Sequence, residues 1–347
     1  MKSYGLFVGV NDTAGGIESW AFCPEENRLS RLRQEDAFPK ISYLTRNAEK
    51  TLACAVDGDG PAIRTYRICT GSLVPCSVAA PVENGLCHVS ITPAQDRILT
   101  SSYTEGHVCV YALGQDGTIG ARIGHVQQVG SSINPDRQEA SHAHSLFPAP
   151  DGNRIVVCDL GADTLTVYAL QPDGSLCKKQ VWNARPGTGP RHFEFHPNGK
   201  WGYLLTELSA EVILFAQNAD GTLTECRTVS TLPAEFSGDN LAAELRLSAD
   251  RRFLYVSNRG YNHVTWFAIS PEDGTLSYCG EVETAGWPRE LEVSTDGAFV
   301  FVLEEPSASY AGGLEVFSAD ARTGALHNIG VSADIPHAQT FVYCEME

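Results

Sequence analysis

The pattern of apolar and polar positions is clearest between Gly189 and Leu208. Phe193 and Phe195 alternate with polar neighbours, Pro197-Asn198-Gly199 has turn chemistry, and Trp201 to Thr206 is a β-prone run. This pattern predicts an antiparallel hairpin. The start of its first strand and the end of its second lie at one end, so Arg191 and Glu207 are expected to be neighbours opposite the turn.

The same unit recurs along the chain. Turn markers at Ala48, Pro93, Pro150, Pro197, Ala249 and Thr295 are spaced by 45, 57, 47, 52 and 46 residues, each with a strand-like run on either side. A second set of turns falls at Pro24 to Asn27, Thr70-Gly71, Asp116-Gly117, Asp173-Gly174, Asp220-Gly221, Asp273-Gly274 and Thr323-Gly324. Four short strands per repeat at such a period predict an all-β, seven-bladed β-propeller. The chain starts on a strand, Tyr4 to Val10, and finishes on a lone strand, Ala338 to Tyr343. The two ends are expected to complete the first blade together, which removes free strand edges.

No Pro-, Ser- or charge-rich linker interrupts the 347 residues, so one propeller domain over 1–347 is expected. No apolar run is long enough to span a bilayer, and the first ten residues lack a long apolar stretch or a cleavage site. A soluble, unprocessed, cytoplasmic protein with no membrane partner is the expectation.

The eleven cysteines are scattered through the repeats and never form Cys-x-x-Cys. They are expected to be free thiols serving as small apolar core residues, with no metal bound. The balance of 25 basic and 42 acidic residues, a net charge of −17, argues against a nucleic-acid partner, which would want a basic stripe.

Strand alternation assigns the loops of each repeat to two faces. Six positions before the markers, leading into the first strand, stand Cys87, His144, Arg191, Ala243 and Arg289, with His88 and Glu244 one step later. Ten positions after the markers, leaving the second strand, stand Gly58, Tyr103, Leu160, Glu207, Arg259 and Glu305. His144, Arg191, Glu207, Arg259 and Arg289, with Glu244, are therefore expected to converge at one channel mouth, while the opposite face carries residues chosen for turns. Arginine forks near carboxylates and a histidine suit a small anionic ligand. Blander readings stand beside this one. Arg191 and Glu207 could tie the hairpin ends, and Glu244 could be an arginine's structural partner. His142 and His144 lie on one side of an extended chain, so only one need act. His192 is expected to be packed, and His196 to serve its turn.

The 57-residue interval exceeds its neighbours, and the surplus falls in residues 129–141, just before His142. A polar excursion there is either a lid or specificity loop or a tolerated insertion.

Five segments carry a family resemblance: Ser-His-Ala-His-Ser at 141–145, Gly-Pro-Arg-His-Phe-Glu-Phe-His-Pro-Asn-Gly-Lys at 189–200, Leu-Leu-Thr-Glu-Leu at 204–208, Leu-Ser-Ala-Asp-Arg-Arg-Phe-Leu-Tyr-Val-Ser-Asn-Arg-Gly at 247–260 and Trp-Pro-Arg-Glu at 287–290. Together they resemble the seven-bladed lactonases, a family with a bacterial 6-phosphogluconolactonase and a fungal carboxymuconate cyclase. The resemblance implies a cytosolic enzyme without a required cofactor, with His144, Arg191, Glu207 and Arg259 at the catalytic site. Hydrolysis of 6-phospho-D-glucono-1,5-lactone is the activity it implies. The alternatives are a lactonising cyclase acting on a carboxymuconate-like acid and a non-catalytic sugar-acid-binding propeller. An interaction propeller of the WD-repeat kind would show a Gly-His and a Trp-Asp pair in each blade, and no such periodic pair occurs.

For lactone hydrolysis Glu207 or His144 would activate water, Arg191 and Arg259 would stabilise the oxyanion, and Arg289, with Glu244 and His142, would hold the substrate.

Overall fold

The computed structural model describes residues 2–12, 15–38, 40–58, 60, 62–80 and 83–346. These form 28 strands, grouped four to a sheet in seven sheets, so the all-β, seven-bladed expectation holds. The single helix among the described residues is the 3-10 turn Pro24–Glu26, and no helix is long and apolar enough to cross a membrane.

The chain divides into two compact units, the first comprising Met1–Glu25, Ser30–Arg191 and Thr340–Glu347, the second Glu26–Leu29 and His192–Gln339. Four blades belong mainly to the first unit. In blade one, Ala338–Met346 takes the first place in the sheet beside Ser3–Val10, followed by Gly16–Cys23 and Arg28–Asp36. The blade is thus completed from both ends of the chain, as the orphan end strands predict. Blade two is Ile41–Arg46, Leu52–Asp57, Ile63–Cys69 and Ser72–Ala79; blade three is Leu86–Ile91, Arg97–Ser102, His107–Leu113 and Ile119–Gln127. Blade four is Ala143–Pro148, Arg154–Asp159, Thr164–Leu170 and Leu176–Asn183.

The second unit carries the remaining three. Blade five is Pro190–Phe195, Trp201–Thr206, Glu211–Gln217 and Leu223–Ser230; blade six is Leu241–Leu247, Phe253–Arg259, His263–Ile269 and Leu276–Glu283. Blade seven is Trp287–Val293, Phe299–Glu305, Gly313–Ala319 and Leu326–Asp334. Every turn marker falls between the first and second strands of its blade.

Within each unit the core lies between successive blades. Leu99, Val108 and Val110 of blade three meet Leu146, Ile155 and Val157 of blade four, and Val302 of blade seven shares a cluster with Tyr255 and Val264 of blade six. Second strands such as Arg154–Asp159 are buried almost throughout, whereas a fourth strand such as Ile119–Gln127 is largely exposed. Full burial of one such aliphatic side chain contributes about 1.5–3 kcal/mol, so these interblade layers are the main stabilising element.

The second set of turns shares one backbone requirement. The last turn residue is left-handed in every blade, with φ of 48° at Asn27 and between 68° and 91° at Gly71, Gly117, Gly174, Gly221, Gly274 and Gly324. Only glycine, or occasionally asparagine, adopts this conformation cheaply. At Gly274 space is short as well: a Cβ would lie 2.5 Å from Trp201, and the carbonyl accepts a hydrogen bond from the Tyr203 hydroxyl at 2.9 Å.

All eleven cysteines are free, but they are not uniformly core residues. Cys54, Cys109, Cys158 and Cys344 are buried, whereas Cys177, Cys226 and Cys279 are exposed. The exposed three sit on the fourth strands of blades four to six, where no further strand covers them. Scatter through strand runs says that a residue is in a sheet; its distance from the sheet's outer edge decides burial.

Candidate active site

A structural device explains why the positions six before the markers are unusual. In blades two, three, four, six and seven the pairing of first and second strands slips where the chain passes Ser42, Cys87, His144, Ala243-Glu244 and Arg289. A β-bulge leaves an extra residue out of the ladder and re-aims its side chain. In the first unit these positions also tie neighbouring blades: Ser42 Oγ donates to the Leu86 carbonyl at 2.6 Å and Cys87 Sγ to the His144 carbonyl at 3.1 Å. Ser145, next to the bulge, donates to the carbonyl of Arg191.

In the second unit four charged side chains from three blades form one row. Glu207 Oε2 lies 3.1 Å from Arg259 Nη2, Arg259 Nη1 donates to Glu305 Oε1 at 2.9 Å, and Glu305 Oε2 accepts from Arg289 Nη1 at 3.0 Å. Arg259 Nε reaches the Leu241 carbonyl at 3.2 Å. Oriented with its oxygen inward, the Gln339 amide accepts from Arg289 Nη2 at 2.8 Å and Nε at 2.9 Å. The Glu207 and Arg259 side chains are 3% and 6% exposed, that of Arg289 19%, so the row runs from a buried end toward solvent. Two arginines and two carboxylates neutralise one another. The arginines are therefore already forked onto protein oxygens, and Arg289 is the most accessible of them.

In the first unit Tyr103 organises both histidines. Its ring stacks on His142 with centroids 4.3 Å apart and 6° between planes, and it meets His144 edge-on at 5.9 Å. His142 Nδ1 lies 2.7 Å from the Tyr103 carbonyl, and the His142 amide donates to Asp159 Oδ1 at 2.9 Å. Residues 129–141 close on the same group. Gln138, fully buried, donates to the Leu160 carbonyl at 2.9 Å, Arg137 Nη2 reaches the Tyr103 hydroxyl at 3.4 Å, and Glu139 lies 3.2 Å from His142 Nε2. The long interval is thus an ordered loop fastened to two residues beside His144. Arg191, also of this unit and 2% exposed, follows a turn held by Asp163, whose carboxylate accepts from the amides of Gly187 and Gly189 at 2.6 Å each.

Glu244 is placed differently from the row. It is buried, 2.9 Å from His192 Nδ1 and 2.6 Å from Arg246 Nη1, the arginine partnership that was one of its two expected roles. His192 is packed and His196 accepts from the Asn198 amide at 3.2 Å within its turn, both as expected.

Three residues carry more than the repeat arithmetic credited to them. Glu305 and Tyr103 stand at the position ten after a marker, the same signal that picked out Glu207 and Arg259. Glu194 alternates with Phe193 and Phe195 on the face of His192, and burial pushes its carboxyl up to about 7, against the pull of Arg246 and Arg251. A carboxyl with this pKa exchanges protons near neutrality. The turn face is not purely a backbone solution either: a cavity of about 420 Å³ lies at the turns of blades five and six, lined by His196, Trp201, Arg251, Phe253 and Pro271 among others.

Known proteins resemble this chain over nearly its whole length. The family model described as Lactonase, 7-bladed beta-propeller, matches residues 6–343. The 6-phosphogluconolactonase of Bacillus subtilis is 30% identical over 346 residues, covering 97% of each chain. The periplasmic gluconolactonase of Pseudomonas aeruginosa is 28% identical with a TM-score of 0.91, covering 98% of this chain and 99% of that one. A protein of known structure from Lactobacillus plantarum gives 27% identity and a TM-score of 0.89, covering 99% and 100% of the two chains.

Proposed function

The chain belongs to the seven-bladed β-propeller lactonase family, and from that premise we propose that it hydrolyses 6-phospho-D-glucono-1,5-lactone to 6-phosphogluconate. The observation that carries the substrate is the match, over nearly all of both chains, to a protein bearing the name of that activity. A cytoplasmic location and a step of the pentose phosphate pathway belong to the same proposal.

The reaction needs a water made nucleophilic, donors for the oxyanion of the tetrahedral intermediate, and a proton for the departing ring oxygen. Glu207 and His144 are the candidate bases. Glu207 has the support of a fixed position: its carboxylate is held by Arg259 at 3.1 Å, so the group is oriented before substrate arrives. His144 has the support of its bulge and of the Tyr103 edge, which aim the ring. Arg259 and Arg191 are proposed as donors to the oxyanion. Arg289, nearest to solvent, is proposed to receive the phosphate, for which an arginine fork is suited. A phosphate arriving there must share Arg289 with Glu305 and Gln339, which favours a dianion over an uncharged hydroxymethyl group. His142 and Glu244 act as supports in this scheme, His142 through Tyr103 and Glu244 through His192 and Arg246. Water, a base and donors suffice for the chemistry, so no cofactor enters it.

The test is a rate measurement on purified protein with 6-phosphogluconolactone and, separately, gluconolactone, each corrected for spontaneous opening. Acceleration of the phosphorylated lactone well above the other supports the proposal. Preference for the unphosphorylated lactone would shift the substrate toward that named for the Pseudomonas protein, and no acceleration of either would overturn the hydrolytic reading.

A further inference from the structure

Away from the residues assigned to the lactone, the outer hairpin of blade three gathers a second set of chemically capable groups. Cys109 on His107–Leu113 stands directly across the ladder from His125 on Ile119–Gln127, so both side chains share one face. Glu83, from the segment before the blade, reaches the same spot. A carboxylate oxygen of Glu83, Sγ of Cys109 and a ring nitrogen of His125 all lie within 4.8 Å of one another. We propose that Glu83, Cys109 and His125 form a binding site for a divalent transition-metal ion of the zinc class.

Three observations support the assignment. First, metal bonds to sulfur, nitrogen and oxygen of about 2.0–2.3 Å hold ligand atoms of one tetrahedral ion roughly 3.3–3.8 Å apart, so the trio closes by about an ångström of rotamer adjustment. Second, a thiolate with an imidazole and one carboxylate selects zinc or cobalt over magnesium or calcium, which want oxygen shells. Third, the histidine is held as a metal ligand should be. His125 Nε2 lies 2.9 Å from Nδ1 of His107, whose Nε2 is 3.6 Å from Glu105 Oε2, an outer chain of the kind that orients a ligating ring.

Glu83 is 2% exposed and already carries a cation. Arg122 Nη1 pairs with its Oε1, and the Tyr111 hydroxyl donates to Oε2 at 3.0 Å. The Arg122 side chain is 39% exposed and can turn into solvent, so an incoming ion would take over the role that the guanidinium fills. Binding also removes the Cys109 proton to solvent as sulfur donates its electron pair to the metal.

The experiment is a titration of chelator-treated, reduced protein with Co²⁺, followed by near-ultraviolet absorption from cobalt–thiolate charge transfer. A band that saturates at one ion per chain, and that Zn²⁺ abolishes by competition, is expected. Cys109→Ser should remove the band. Because Cys109 is buried and its serine variant could fold poorly, His125→Ala at an exposed position is the second arm, expected to weaken Co²⁺ binding by at least about tenfold. Absence of the band, a band that survives Cys109→Ser, or parental affinity in His125→Ala would each overturn the site.

Discussion

In the second unit, Glu207, Arg259, Glu305 and Arg289 hold one another by charge; in the first, Tyr103, His142 and His144 hold one another by ring contact and by hydrogen bonds to backbone. The difference lies in what a single deletion leaves behind. Removing a member of the charge row strands an opposite charge with little access to water, which costs more than the pair contributes when intact. Removing a ring from the histidine group leaves a small gap and no uncompensated charge. Loss of activity in the row therefore mixes stability with chemistry, while loss in the histidine group reports chemistry more directly.

The largest effect is expected where the row is cut at its centre. Arg259→Ala leaves Glu207 and Glu305 without their shared cation, and stability measured by denaturant unfolding should fall by about 3–5 kcal/mol. Arg259→Lys keeps the charge, but one ammonium cannot serve Glu207, Glu305 and the Leu241 carbonyl together, so an intermediate loss of stability and weaker substrate binding are expected. A drop under about 1 kcal/mol in the alanine variant would mean the row behaves as a solvated surface pair.

Next in size is the comparison of the two candidate bases. Glu207→Gln and His144→Ala should each lower turnover by about 10²-fold or more, with the thermal midpoint of His144→Ala nearly unchanged. If the two residues act on one substrate as a unit, the double variant will be scarcely slower than the worse single one. Multiplicative loss would assign them independent roles.

A pH effect separates the row from its neighbour in sequence. Glu304 is buried, its carboxyl pushed up to about 8 first by that burial and then by its hydrogen bond to Glu315. A carboxyl raised above its unfolded value binds more protons in the folded state. Its contribution to stability is full below about pH 4.5 and is lost as pH rises through about 8, with Glu194 acting in the same direction up to about 7. Glu304→Gln can still accept from the Gly286 amide and donate to Glu315, so its stability should decline less across this window. Parallel profiles for parent and variant would show that Glu304 ionises normally.

The smallest expected effect is at the loop. Glu139→Ala removes an exposed partner of His142, and KM should change by at most about fivefold, the upper worth of a solvent-exposed ion pair. A larger change, or one in kcat, would draw residues 129–141 into the reaction.

Much of the fold is legible in the chain because β-structure writes itself locally. Pro197-Asn198-Gly199 and the Asp-Gly pairs each demand a turn where they stand, and a run such as Trp201 to Thr206 has few alternatives to a strand. The long interval before His142 is equally visible. Its attachment to Tyr103 and Leu160 is not, since nothing in Arg137, Gln138 or Glu139 says which neighbour each will meet. The exposure of Cys177, Cys226 and Cys279 is not legible for a related reason: a strand's own pattern does not tell how many strands will cover it.

What the sequence determined by itself is the number of repeats, the joining of both chain ends in blade one, and the two sets of loop positions from which the candidate residues come. These follow from turn chemistry and period, which act over a few residues. Only the tertiary structure decided the partners: that Arg259 and Arg289 are neutralised by Glu207 and Glu305, that Glu244 serves His192 and Arg246, and that Glu83 meets Cys109 and His125. The physical reason is one of range. Turn and strand preferences are set by a residue's own backbone, whereas charge pairing and ligand grouping depend on distances of a few ångströms between groups far apart in sequence, and those distances exist only once the blades have packed.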